Sequence, residues 1–134
     1  SAPTVLTPHA GEFARLASGP PGADRVAAAR RLAEDLGATV LLKGHVTVIA
    51  EPGGPVYLNP AGESWSATAG SGDVLSGMIG ALLASGLPAV EAAAAAAFVH
   101  SRAANLSAAD PGPHSTQTSA SRILQHIRTA VARL

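Results

Sequence analysis

With 134 residues, a formal net charge of zero and only 13% charged residues, the chain has no electrostatic footprint for nucleic acid or anionic lipid, so any phosphate it holds is gripped by backbone amides and one or two placed cations. The absence of cysteine excludes disulfides and thiolate metal sites, and the five histidines show no HxxxH or HExxH spacing that would suggest zinc. The longest apolar tract, Ala92 to Val99, is mostly alanine and well short of the roughly 20 residues needed to span a bilayer.

Taken in chain order, Thr4-Val5-Leu6 reads as a short buried strand ending at Thr7-Pro8, and Pro8 suits the first turn of a helix. Gly11 to Ala17 predicts a short helix, stopped by Ser18-Gly19-Pro20-Pro21-Gly22. Asp24 caps a longer helix through Leu36, with Val26, Ala29, Leu32, Ala33 and Leu36 on one face and Arg25, Arg30, Glu34 and Asp35 on the other; Gly37 ends it. Ala38 to Lys43 is a continuous apolar run of strand length, expected for a strand covered on both faces in a parallel sheet. Val46 to Ala50 and Val56 to Leu58 follow, joined by a hairpin-like turn, and Ser64 to Ala67 reads as a further short strand. Three helices complete the chain: about Gly72 to Ala84, about Val90 to Ala108, and about Ser119 to Arg133 with Ile123, Leu124, Ile127, Ala130, Val131 and Leu134 on its apolar face. A Pro/Gly loop, Asp110 to Ser115, precedes the last of them. No repeat and no second domain is visible.

Chemistry concentrates at Ala69-Gly70-Ser71-Gly72-Asp73. Two glycines flanking a serine before a helix let backbone amides converge, and the first-turn donors add partial positive charge, so Ala69, Gly70, Ser71 and Gly72 form a candidate anion hole. Asp73 sits in the same turn, placed to accept a proton from a hydroxyl attacking phosphorus. No Gly-Lys-Ser/Thr follows, so this is not a P-loop. Read alone, the same residues also fit a plain tight turn with a first-turn helix charge, worth under about 1 kcal/mol. Lys43-Gly44, ending a buried strand, offers a cation and exposed backbone where α/β folds bind ligands, or else an edge lysine before a turn.

Residues Thr68 to Gly77 (TAGSGDVLSG) resemble the signature of the ribokinase superfamily, and the closer similarity is to the ADP-dependent NAD(P)H-hydrate dehydratases. Leu6 to Glu12 (LTPHAGE), Leu42 to Ile49 (LKGHVTVI) and Gly80 to Leu87 with Glu91-Ala92-Ala93 match that family's pattern in order, up to about Ala109. The resemblance implies a ribokinase-like three-layer α/β sandwich with a mainly parallel sheet. Because the chain starts without methionine, with a strand already running into a motif, residues 1–134 read as a single partial domain, the C-terminal portion of such a dehydratase domain. His9 replaces the asparagine usual in the superfamily's sugar and vitamin kinases, which favours the dehydratases.

By resemblance, Asp73 is the catalytic base and touches substrate, His9 binds substrate, Lys43, Gly44, His45, Val46, Thr47 and Gly72 contact the adenine nucleotide, and Glu12 supports the metal through water. The implied reaction dehydrates the S-epimer of NADH or NADPH hydrate, with ADP (or ATP) as co-substrate and Mg²⁺ as cofactor, in the cytoplasm. An unpaired sheet edge predicts a homo-oligomer. Neither nucleic acid nor membrane is an expected partner. Two alternatives stand beside this reading: a ribokinase-like small-molecule kinase, such as one for a hydroxymethylpyrimidine or thiazole alcohol, and a nucleotide-binding chain without activity. Ser119-Ala120-Ser121-Arg122 lacks the aspartate expected before the last helix, so no nucleotide-base contact is assigned there.

Overall fold

The computed structural model describes residues 2–60, 69–110 and 119–134. Its elements are β1 (Val5–Leu6), α1 (Ala10–Ala17), α2 (Arg25–Leu36), β2 (Thr39–Leu42), β3 (Val46–Ala50), β4 (Val56–Pro60), α3 (Ser71–Ala84), α4 (Ala89–Ala109) and α5 (Ala120–Ala132). Local chemistry sets most of these boundaries. The Asp24 carboxylate accepts the Ala27 amide at 3.0 Å to start α2, and Gly37, in the left-handed region at φ 62°, ends it. Ser119 caps α5 in the same way, accepting from the Arg122 amide. The expected strand over Ser64–Ala67 and most of the Asp110–Ser115 loop lie outside the described residues.

The sheet has the order β1-β2-β3-β4, with β1 and β2 parallel and the β2/β3 and β3/β4 pairs antiparallel. This corrects the expectation of a mainly parallel sheet: among the described strands it is mixed and mostly antiparallel. The reason is connection length. Only residues 43–45 separate β2 from β3, and only 51–55 separate β3 from β4. Such links reverse a chain, whereas a parallel neighbour needs a crossover of roughly a dozen residues or more. Among the described strands, the crossover carrying α1 and α2 joins the one parallel pair. The apolar run in β2 reported burial on both faces and nothing about direction.

That two-sided burial makes three layers. On one face Val40, Leu42, Val48 and Ala50 pack with Phe13 of α1 and Ala29, Leu32 and Ala33 of α2. On the other, Leu41 and Ile49 meet Leu75 and Ile79 of α3 and Val90, Ala93, Ala96 and Ala97 of α4. Alternation of side chains along a strand is what sends Leu41 and Leu42 to opposite faces. The alanines of α4 at 92, 93, 96 and 97 are all buried, and Asn59 of β4 ties the same helix down by donating to the Ala97 carbonyl (3.1 Å) and to Ser101 Oγ (2.9 Å). α5 lies on α4 through Ile123 and Ala130, while Leu124 (58% exposed) and Val131 (51%), both expected in the core, face outward. With α4 as its main neighbour and Val74 and Met78 of α3 flanking the same cluster, α5 buries only a narrow seam, so its outer apolar positions stay wet. Among the described residues no helix is long and apolar enough to cross a membrane.

Candidate active site

α3 begins at Gly70, which holds φ 81° and caps the helix through its carbonyl, accepting the amides of Asp73 (3.1 Å) and Val74 (3.4 Å). An L-residue here is strained by that backbone angle, and its Cβ would also lie 3.3 Å from Ala120 Cβ at the start of α5. Asp73 is therefore fixed in the first turn, at the positive end of α3, and its side chain is exposed. Among the described residues no hydrogen bond or ion pair engages its carboxylate.

β2 delivers the cation. Lys43 follows its last buried residue, and its ammonium rests 3.3 Å from where a Cβ on Gly72 would stand. Glycine at 72 thus leaves room for Lys43 beside the residue preceding Asp73. The Lys43 amide donates to the Pro8 carbonyl at 2.9 Å, which joins the start of α1 to the same end of the sheet. Gly44 and His45 are exposed, Val46 is 36% exposed, and Thr47 is half-buried in β3 opposite Asn59. Lys43, Gly72 and the Asp73 turn are brought together.

His9 caps α1: its Nδ1 accepts the Glu12 amide at 3.1 Å, and its Nε2 lies 2.7 Å from Glu12 Oε1. Nδ1 as acceptor places the proton on Nε2. Gly11 makes space for the ring, since a Cβ there would come within 3.1 Å of it. His9 and Glu12 thus form one unit in the first turn of α1, and no hydrogen bond or ion pair among the described residues links either to Asp73. Among those residues no group of three His, Asp or Glu side chains is gathered as a metal cage.

Two residues escape the sequence reading. His100 of α4 is 5% exposed, and its Nε2 lies 3.0 Å from the Ser71 carbonyl, directly beneath the glycine turn. Burial, with a smaller contribution from the nearby Lys43 charge, pulls the imidazole below its ordinary value of 6.5. A histidine so depressed takes up fewer protons folded than unfolded, so its effect on stability appears as pH falls through 6.5 and grows down to the folded-state value. Thermal melts from pH 7.5 to 5 are expected to fall for the native chain, and the fall is expected to be shallower for His100→Gln; parallel curves would exclude this assignment. Arg25, placed on the solvent face by helical periodicity, instead reaches from the start of α2 to the carbonyls of the 43–45 turn. Both partners are main-chain atoms of remote elements, for which spacing within one helix carries no signal.

Residues 1–126 match the family described as NAD(P)H-hydrate dehydratase. The chain belongs to that family. It is 79% identical over its whole length to the bifunctional NAD(P)H-hydrate repair enzyme Nnr of Mycobacterium leprae, and 78% identical to that of Mycobacterium tuberculosis. It spans 28% of each of those proteins. The ADP-dependent (S)-NAD(P)H-hydrate dehydratase of Neisseria meningitidis is 50% identical over 105 residues, 76% of this chain and 36% of that one. Among solved structures, the ADP/ATP-dependent NAD(P)H-hydrate dehydratase of Bacillus subtilis, co-crystallised with ATP and Mg²⁺, superposes with a TM-score of 0.88 at 33% identity, covering 98% of this chain and 48% of that one. That dehydratase therefore shares this chain's fold over the 48% of its length that is matched.

Proposed function

We propose that the chain carries the nucleotide-side machinery of an ADP-dependent dehydratase acting on the S-epimer of NADH or NADPH hydrate, yielding NAD(P)H, AMP and phosphate. The observation that carries this reading is the meeting of Lys43 with Gly72, one residue before the carboxylate of Asp73, which no hydrogen bond or ion pair among the described residues engages. A cation, a glycine-lined helix start and an exposed carboxylate in one place are the parts that phosphoryl transfer needs from a protein.

In this reading Asp73 takes the proton of the substrate's C6 hydroxyl as that oxygen bonds to the β-phosphorus of ADP and the bond to AMP breaks. Lys43 and the main chain of residues 69–72 hold the charge on the transferred group, with Gly44, His45, Val46 and Thr47 along the nucleotide. The new phosphate ester then leaves C6 with its bonding electrons, driven by the ring nitrogen's lone pair, and loss of a C5 proton restores the ring double bond. Glu12 and His9 flank the substrate side, His9 exchanging its Nε2–H contact with Glu12 for one to the hydrated nicotinamide. Mg²⁺ fits as an ion carried chiefly by the nucleotide phosphates and water, with Glu12 as an outer ligand, because Mg²⁺ commonly uses one or two carboxylates plus phosphate oxygens and needs no protein cage. When bound, it neutralises phosphate charge.

The test is to incubate hydrated NADH with ADP and Mg²⁺ and follow both recovery of NADH absorbance and release of AMP. Stoichiometric appearance of both is expected. AMP release without NADH recovery, or stable phosphorylation of a vitamin precursor, would replace this reading with that of a small-molecule kinase.

A further inference from the structure

The turn that carries Lys43 is not held by the sheet alone. Arg25, the first residue of α2, sends its guanidinium across to the 43–45 connection. There Nη1 donates to the Val46 carbonyl, and Nη2 donates to the carbonyls of Leu42 (3.4 Å) and Lys43 (3.3 Å). The group also lies over Gly44, where a Cβ would stand 2.5 Å from Nη2, so glycine at 44 is what lets the arginine close on the turn. Three main-chain acceptors on both sides of one short turn are drawn onto one planar cation.

We propose that Arg25 is a positioning residue for the nucleotide site, acting through the turn to hold Lys43 against Gly72. The proposal rests on the reading above that residues 43–47 meet the nucleotide. Its physical basis is that a peptide plane is rigid. Fixing the carbonyls of residues 42, 43 and 46 fixes the direction of the amides that follow them, and with it the path of the Lys43 side chain. Held toward the arginine, those carbonyls are also withdrawn from any bound phosphate, which would be repelled by their lone pairs. A planar fork with fixed donors suits this task, whereas lysine reaches the same acceptors with a single mobile ammonium. Arg25 touches neither nucleotide nor substrate in this role.

The experiment uses the complete gene product with Arg25→Met, Arg25→Lys, Arg31→Met and Lys43→Met. For each, ADP affinity is measured by calorimetry, turnover at saturating ADP by NADH recovery, and folding by thermal melt. Arg25→Met is expected to weaken ADP about tenfold, the scale of losing charge-assisted hydrogen bonds, and to lower kcat at saturating ADP as well, because Lys43 also steadies the transferred group, while the KM for hydrated NADH stays within about twofold. Arg25→Lys should recover part of the affinity. Arg31→Met, an exposed position on the same helix, should leave ADP binding unchanged. Should Arg25→Met fail to fold, Arg25→Lys still decides, because unaltered ADP affinity in it overturns the proposal. A purely structural arginine would lower the melting temperature without moving ADP affinity in folded protein, and that result also overturns it. If Lys43→Met leaves ADP affinity intact, the nucleotide reading of residues 43–47 itself has failed, and the Arg25 proposal falls with it. If Lys43→Met weakens ADP and Arg25→Met does not, only the Arg25 proposal is lost.

Discussion

Asp73→Asn is expected to lower turnover of hydrated NADH with ADP by at least about 100-fold, the lower scale for removing a positioned general base. The substitution keeps the side chain's size and removes its capacity to take a proton. Two features of the site make the result interpretable. The carboxylate is exposed and has no partner among the described residues, so its loss leaves no buried group unsatisfied. The backbone of the turn is held by the Gly70 carbonyl and by His100 beneath Ser71, neither of which involves the Asp73 side chain. Stability is accordingly expected to change by under about 1 kcal/mol, the helix-dipole contribution of a first-turn carboxylate, and ADP affinity to stay within about twofold. Calorimetry and steady-state kinetics on the same preparation provide the check. An Asn variant retaining more than about a tenth of the native rate would remove Asp73 from the role of base.

The largest expected effect on stability comes from the sheet. Leu41 is fully buried, and it is the β2 residue that packs against Leu75 and Ile79 of α3. Leu41→Ala is expected to cost about 2–5 kcal/mol, the range for deleting a fully buried leucine side chain and leaving a partly relaxed cavity. Urea unfolding would show it as a lower midpoint at unchanged slope. The comparison is Leu58→Ala on β4, 57% exposed, where a change within about 0.5 kcal/mol is expected. Because α3 carries Asp73 at its first turn, Leu41→Ala should also loosen the seat of the site and lower activity at temperatures well below the melt. Equal costs at residues 41 and 58 would contradict the layered core described above.

Much of the local geometry at the candidate site was readable from residues because it depends on residue types that backbone geometry selects. Gly70 must tolerate a positive φ, Gly72 must leave space for Lys43, and Gly11 must leave space for His9. Such positions leave a mark in the sequence. Arg25 and His100 leave none, since each is defined by a carbonyl in another element and either could have been a solvated or a packing residue. Helix boundaries followed closely from Asp24, Gly37 and Ser119, whose capping is local. Strand direction did not follow from the apolar run in β2, because two-sided burial is shared by parallel and antiparallel interiors. The lengths of the connections at 43–45 and 51–55 held the answer, and the hairpin already evident at 51–55 was half of it. The outer positions of α5, Leu124 and Val131, were expected inside because periodicity gives a face but not its width.

Four buried alanines of α4 have one more effect. Alanine has no rotatable side-chain torsion, so Ala92, Ala93, Ala96 and Ala97 enter the interior without losing rotamer freedom, where leucine or isoleucine would each give up about 0.5–1 kcal/mol. Nor can they re-sort into alternative interlocking patterns once there. Along these four positions the helix bearing His100 meets its neighbours through methyl groups alone, which lets its backbone approach closely.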